Sequence, residues 1–477
     1  MVGCRAEGGS VKRYGHWIGG EEHAPGSGEH IASTSPWTGS AVAEIAAGNR
    51  ADVAAAVASA SAAFAAWRAL KPGARGRLMA DIADGIRAER ALLADLEGAE
   101  AGKPAAQSLR EVDAAAAYFD FYAGLSNIPS GEVIDLGPGM HGYTTNEPYG
   151  VIGVITPWNA PLNQAARAVA PALLTGNVVV VKPSEFTSTT TLELARIATA
   201  AGLPDGVLNV VTGTGQEAGQ PLVEHRDVRK VAFTGSLRAG REIGRVAADR
   251  VLPLTLELGG KSANIVFADA DLPEAAAGAV RAFTANAGQV CSAGTRLLVA
   301  DEIHDEFVDL LLERVKSVQP GESYGQMTTE DQFAKVQSYF EVAREDGATL
   351  AAGGAVTGEG WLVQPTVYTD VTNTMAIARE EIFGPVLAVL RFSTEDEAIA
   401  IANDSEFGLA AGIWTSDIAR AHRVAARLEA GQVYVNEWLT GLVEGPFGGV
   451  KNSGYGREKG MEALRHYTQT KFVAVKL

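Results

Sequence analysis

VIGVITPWNAPLNQAARAVAPALLTGNVVVVKPSE, residues 151–185, decides the fold. It opens on an apolar run from Val151 to Thr156, stopped by Pro157. Asn163 to Leu174 reads as a helix, and Asn177 to Lys182 as a strand of four consecutive valines. A strand without polar alternation must be covered on both faces, as in a parallel sheet flanked by crossover helices. Strand, helix and strand together make a βαβ unit.

The rhythm continues on both sides. Thr187 to Ala201 predicts a helix, Val207 to Val211 a strand, and VAFTG (231–235) another. A second series follows: a strand from Ser262 to Phe267, a helix from Leu272 to Ala287, a strand at Arg296–Val299, a helix from Asp305, and further alternation to about Phe407. Upstream, Arg50 to Gly124 is Ala-rich, with apolar residues at helical spacing. Val133–Leu136 and His141–Asn146, around GPGM, predict a hairpin. Residues 466–477 end as a strand placed to join it in a small separate sheet. The fold class is therefore α/β, with a doubly wound parallel sheet, a second α/β region and a small β-sheet.

A chain of 477 residues holds two to four domain-sized units. Its net charge of −17 argues against nucleic acid, whose phosphates need clustered Lys and Arg, and against an anionic membrane surface. No run of about 18 apolar residues predicts a membrane span, and no apolar leader is visible. The two cysteines, Cys4 and Cys291, are too few for a disulfide framework or a zinc site. No metal is expected, and a reducing cytoplasm fits. Cys4, in a Gly-rich tail, has no assigned role.

Cys291 lies in NAGQVCSAGT (286–295), among small residues that let a substrate approach. A thiolate is a strong nucleophile, but a lone cysteine is as readily inert core. Glu257, in LTLELGGKS (254–262), follows an apolar run; Leu256 and Leu258 would desolvate it and raise its pKa, which suits a general base. The two glycines after it allow a close backbone approach. The plain alternative is a strand-end glutamate. Asn159, in TPWNAP (156–161), sits just past a strand end, where α/β sheets place their sites. Its amide can donate to an oxyanion, a contact worth about 3 kcal/mol in a transition state; the alternative is turn chemistry.

The strict dinucleotide fingerprint is absent. GTGQEA (213–218), with Gly215, fits a relaxed form. FTGS (233–236) offers Gly235, Ser236 and a helix start to a pyrophosphate. In KPSE (182–185), Lys182 can bond ribose hydroxyls, and Glu185 can accept from a 2′-hydroxyl while repelling a 2′-phosphate, favouring NAD over NADP. A solvated loop is the plain reading of that pair.

Together these pieces resemble the aldehyde dehydrogenase superfamily over nearly the whole chain. The glutamate signature is LELGGKS (256–262) and the cysteine signature FTANAGQVCSAG (283–294). PWN (157–159), KPSE, FTGS, EEIFGPV (380–386) and PFGGVKNSGYGRE (446–458) fall in the family's order. The resemblance implies that Cys291 attacks an aldehyde, that Asn159 and the Cys291 N–H hold the oxyanion, that hydride passes to NAD, and that Glu257 activates the water that frees the acid. It implies that Glu381 holds the nicotinamide ribose, with Phe383 beside the ring, and that Trp158, Lys182, Ser184, Glu185, Gly215, Gly235, Ser236 and Leu258 line the cofactor. It implies an NAD-binding domain at 1–125 and 147–256, a catalytic domain at 257–450, and an oligomerisation sheet from 126–146 and 463–477, in a homodimer or homotetramer.

The family's commonest pattern has aromatic residues where this chain has Ala160 and Arg167. Asn163 and Arg167 share a helix face. WNAP with RAVAP resembles the branch acting on aromatic aldehydes, so Arg167 is expected at the substrate entrance, favouring a polar or anionic aryl aldehyde; a surface salt bridge is the alternative. Asn163, Trp438 and Phe447 complete the expected substrate site, with Leu439 beside Trp438. A broad-specificity aliphatic or amino-aldehyde enzyme, a CoA-acylating enzyme and a silent binding relative remain competing readings. CoA-acylating relatives typically lack the glutamate.

Overall fold

The computed structural model describes residues 11–128, 131–357, 360–438 and 441–477. Cys4 and Leu439 lie outside the described residues. The valine run forms the centre of an eight-stranded sheet, where Val178–Val181 are fully buried and Lys182 nearly so. Five parallel strands make its body, in the spatial order Leu254–Glu257, Val228–Thr234, Val151–Ile155, Val178–Lys182, Leu208–Val210. The chain moves outward from Val151–Ile155 in one direction, then returns and moves outward in the other. Val151–Ile155 and Val228–Thr234 thus flank a switch point, and the loops after them diverge and leave a crevice there. Trp158–Asn159 and Gly235–Ser236 are those loops.

A seven-stranded sheet carries the second half. Its order is Thr349–Ala352, Thr366–Thr369, Val386–Phe392, Arg296–Ala300, Ala263–Val266, Ala410–Trp414, Gln432–Val435. All pairings are parallel except that of the first strand. Glu257 ends a strand of the first sheet and Ala263 begins one of the second, so the segment between them crosses the crevice.

The third sheet joins Thr468–Lys476, Met140–Pro148 and Val133–Ile134 in antiparallel order. Four helices, Arg50–Ala69, Pro72–Ala88, Arg90–Ala101 and Ala105–Gly124, make up the Ala-rich region. The first begins on an Asn49 cap closed reciprocally by Asp52.

Two features differ from expectation. The helix from Leu272 ends at Thr284 rather than Ala287. Asn286, Ala287 and Gly288 then take left-handed φ of 50°, 54° and 73°. A Cβ at position 288 would stand 2.1 Å from the Gly384 carbonyl oxygen, so only glycine allows that close pass. Short strands also form within Lys12–Ala46, a region read without elements; two of them, His16–Ile18 and Glu21–His23, extend the eight-stranded sheet at its edge.

Candidate active site

The turn at 286–288 brings Cys291 to a cleft of about 460 Å3. Asn159, Asn163, Arg167, Tyr434, Phe447 and Lys459 are among the residues lining it with Cys291. Cys291 is partly buried, and its surroundings are poorly solvated. Burial pushes its pKa up to about 11, against the pull of Arg167. The resting thiol is therefore protonated at neutral pH.

Asn159 is buried, and its Nδ2 donates to the Gln289 carbonyl at 2.9 Å. The amide has a second N–H, and neither it nor the Cys291 backbone N–H has a partner among the described residues. Asn286 donates to the Asn159 carbonyl at 3.0 Å, and Gln107 holds Asn286 at 2.9 Å. Gln289 is fixed by the Thr328 N–H and by its own bonds to the Asn286 and Gln326 carbonyls. This amide lattice sets the loop before the thiol. Of its members only Asn159 was singled out in the sequence.

Glu257 is 2% exposed, and neither carboxylate oxygen finds a hydrogen bond among the described residues. Its pKa stands well above the carboxylate range, through desolvation first and the Glu458 charge next, with Arg167 opposing. A buried carboxylate with no donor is costly unless it exchanges a proton or takes a ligand. The two glycines that follow it make room for Glu381: a Cβ at Gly259 would come within 2.2 Å of its carboxylate, and Gly260 N–H donates to it at 3.0 Å. Glu381 is itself raised by burial, and Lys335 anchors its carbonyl at 2.8 Å.

The expected cofactor positions line the switch-point side. Phe383, at a left-handed φ of 60°, meets Trp158 edge to face at 5.5 Å. Lys182 is buried and bonds Glu185 at 3.2 Å, so the pair is not a solvated loop. Ser184 is buried, and its carbonyl accepts from Ser188. Ser236 caps the helix Leu237–Arg250, accepting from Ala239 N–H. The Leu237 and Arg238 N–H groups stay unbonded among the described residues, as donors for an anion. Gly235 N–H donates to the Glu257 carbonyl at 3.0 Å, tying this turn to the catalytic strand. Leu258 packs against Gly240. Gly215 opens a short π-turn with nothing within 4 Å of where a Cβ would stand. These free donors, the open glycine and the buried Lys182 bound to a partly exposed Glu185 fit a dinucleotide.

Two substrate expectations need correction. Arg167 lines the cleft, but its charge is already met by a buried partner. It is 3% exposed and paired with Glu458, itself 1% exposed. It also donates to Thr234 Oγ1 at 3.3 Å and lies over Phe447 at 4.9 Å. Trp438 is 2% exposed beneath the cysteine loop, where Cβ atoms at Gly294 and Gly412 would strike its ring at 2.8 and 2.5 Å. It supports the loop from below. Asn163 and Phe447 do line the cleft.

A family model described as the aldehyde dehydrogenase family matches residues 23–473. A betaine aldehyde dehydrogenase of Bacillus subtilis (strain 168) is 41% identical over 474 residues, covering 96% of each chain. An NAD-dependent aldehyde dehydrogenase structure from Sinorhizobium meliloti is 43% identical, with a TM-score of 0.97 over 98% of this chain and 95% of that one. A P. syringae indole-3-acetaldehyde dehydrogenase, solved with NAD+ and IAA, is 40% identical, with a TM-score of 0.97 over 98% of both chains. The class is thereby defined as an oxidoreductase that uses NAD. More narrowly, the chain belongs to the aldehyde dehydrogenase family and is an NAD-dependent aldehyde dehydrogenase.

Proposed function

We propose that the protein oxidises a ring-bearing aldehyde to its carboxylic acid, with hydrolysis rather than transfer to CoA ending the cycle. The observation that carries this is that Cys291 and Asn159 share one cleft, with an unpartnered, desolvated Glu257 near enough for its charge to act on the thiol.

Glu257 takes the thiol proton, because Cys291 rests protonated and a buried carboxylate with a raised pKa is a competent base. The sulfur then bonds the aldehyde carbon. The free Asn159 N–H and the Cys291 N–H receive the oxygen as it becomes negative. Trp158, Lys182, Ser236, Glu381 and Phe383 would hold NAD, which would accept the hydride that leaves the thiohemiacetal carbon. Collapse of the oxyanion leaves a thioester on Cys291. After passing the first proton to solvent, Glu257 takes a proton from water, whose oxygen bonds the acyl carbon as sulfur departs, releasing the acid. Glu185 makes NAD the favoured cofactor over NADP, since it would repel a 2′-phosphate.

The Phe447 and Tyr434 rings in the cleft support an aromatic substrate. Val133, Phe472 and Leu477 are 77%, 52% and 82% exposed on the third sheet, which supports assembly of copies through it, as a dimer or tetramer. The scarcity of cysteine supports a reducing, cytoplasmic setting.

Rapid mixing with benzaldehyde and NAD tests the reading. Glu257→Gln should slow turnover at least a hundredfold and accumulate a hydroxylamine-reactive acyl-enzyme, while Cys291→Ser should yield no NADH. Wild-type turnover by either variant overturns it.

A further inference from the structure

Lys459 follows the Glu458 that neutralises Arg167, and it lines the same cleft as Cys291. Its ammonium lies over Phe447 at 5.1 Å and Tyr118 at 5.9 Å. It has no ion pair or hydrogen bond among the described residues. Its backbone is left-handed, with φ of 59°, a conformation that costs a side-chain-bearing residue about 1–2 kcal/mol. A mostly buried cation without a counter-ion, on a strained backbone, is a costly arrangement of the kind that collects at ligand sites.

The charges around the cleft point the same way. Four charged residues line it: Arg110, Glu111, Arg167 and Lys459. Glu111 is met by Lys103 at 2.9 Å, and Arg167 by Glu458. Arg110 is exposed and unpaired among the described residues. Of these four, the two without a partner are both positive, while the unpartnered Glu257 carboxylate does not line the cleft. A quaternary ammonium group needs free aromatic faces. Here Phe447 is already engaged by both Arg167 and Lys459.

We propose that Lys459 is a specificity-determining residue that holds an anionic group, a carboxylate or phenolate, on the end of the aldehyde remote from the carbonyl. The proposal rests on the oxidation reading above and narrows its substrate class. It also separates this chain from the action that the name of its betaine aldehyde relatives gives them, since that substrate is cationic. A charge-assisted hydrogen bond in a poorly solvated cleft should favour an anionic aldehyde over a neutral isostere by roughly 10- to 100-fold in kcat/KM.

NADH formation with 4-formylbenzoate, 4-formylbenzamide and betaine aldehyde tests this. The wild type should favour the benzoate by that factor and use betaine aldehyde least. Lys459→Met should bring the benzoate-to-benzamide ratio to within about threefold of unity, and Lys459→Arg should keep most of it. A wild type that takes the benzamide or betaine aldehyde as well as the benzoate overturns the proposal, as does a ratio that survives Lys459→Met. Should that variant not fold, 4-carbamoylbenzoate must inhibit the wild type at least tenfold more tightly than the neutral terephthalamide; equal inhibition overturns the assignment. No NADH from any of the three aldehydes would sink the oxidation reading itself, whereas oxidation without charge preference sinks Lys459 alone.

Discussion

Glu458→Gln and Arg167→Met remove opposite halves of one buried ion pair, whose side chains are 2% and 4% exposed. At that depth each single change leaves a charge without a counter-ion, which costs about 3–5 kcal/mol, against less than 1 for a surface pair. Arg167 also loses its place over Phe447 in the methionine variant. The combined Arg167→Met, Glu458→Leu variant removes both charges together and should lie closer to the wild type than either single. Urea midpoints followed by tryptophan fluorescence measure this. The same pair leaves a second signature at Glu257, which Glu458 raises and Arg167 lowers. Glu458→Gln takes away the repelling charge and frees the attracting one, so the Glu257 carboxyl ionises more easily and the acid limb of kcat moves to lower pH. Arg167→Met moves that limb to higher pH. Single variants that each cost under about 1 kcal/mol, or two limbs that move in the same direction, would refute the reasoning.

Glu185→Ser should raise kcat/KM with NADP relative to NAD at least tenfold, by removing a carboxylate from beside the ribose; an unchanged ratio means that Glu185 does not discriminate. Burial first, and Arg167 next, hold the Lys459 ammonium down to about 8, while Cys291, Glu458 and Glu257 pull the other way. The lysine is charged below that pH and neutral above it, so the wild-type preference for 4-formylbenzoate over 4-formylbenzamide should fade between pH 7 and 9; a flat ratio across that range contradicts it.

The parts legible in the sequence are those whose cause is local. Four valines without alternation state that both faces are covered, and Val178–Val181 are buried. Leucines on either side of Glu257 state that it is desolvated, and burial is the first cause of its raised pKa. The illegible parts depend on partners distant along the chain. Arg167 stands among alanines and valines, with nothing nearby to show that Glu458 would bury and pair with it. Lys459 adjoins a recognisable motif, but its importance comes from the absence of a partner, which no sequence displays. Lys12–Tyr14 and Glu21–His23 form strands although both are largely exposed and polar; pairing with Ala41–Ala46 and His16–Ile18, rather than intrinsic preference, makes them extended.

The antiparallel match between Thr468–Lys476 and Met140–Pro148 has a consequence for biosynthesis. Its Thr470–Asn146 contact joins residues 324 positions apart. While a ribosome makes the intervening chain, Met140–Pro148 has only the two-residue Val133–Ile134 alongside it. An unpaired strand edge invites foreign pairing, and neighbouring nascent chains on one message carry the same edge. Were copies to meet through this sheet, as proposed above, they would associate only after the later strand had been translated, so assembly would wait on near-completion of each polypeptide.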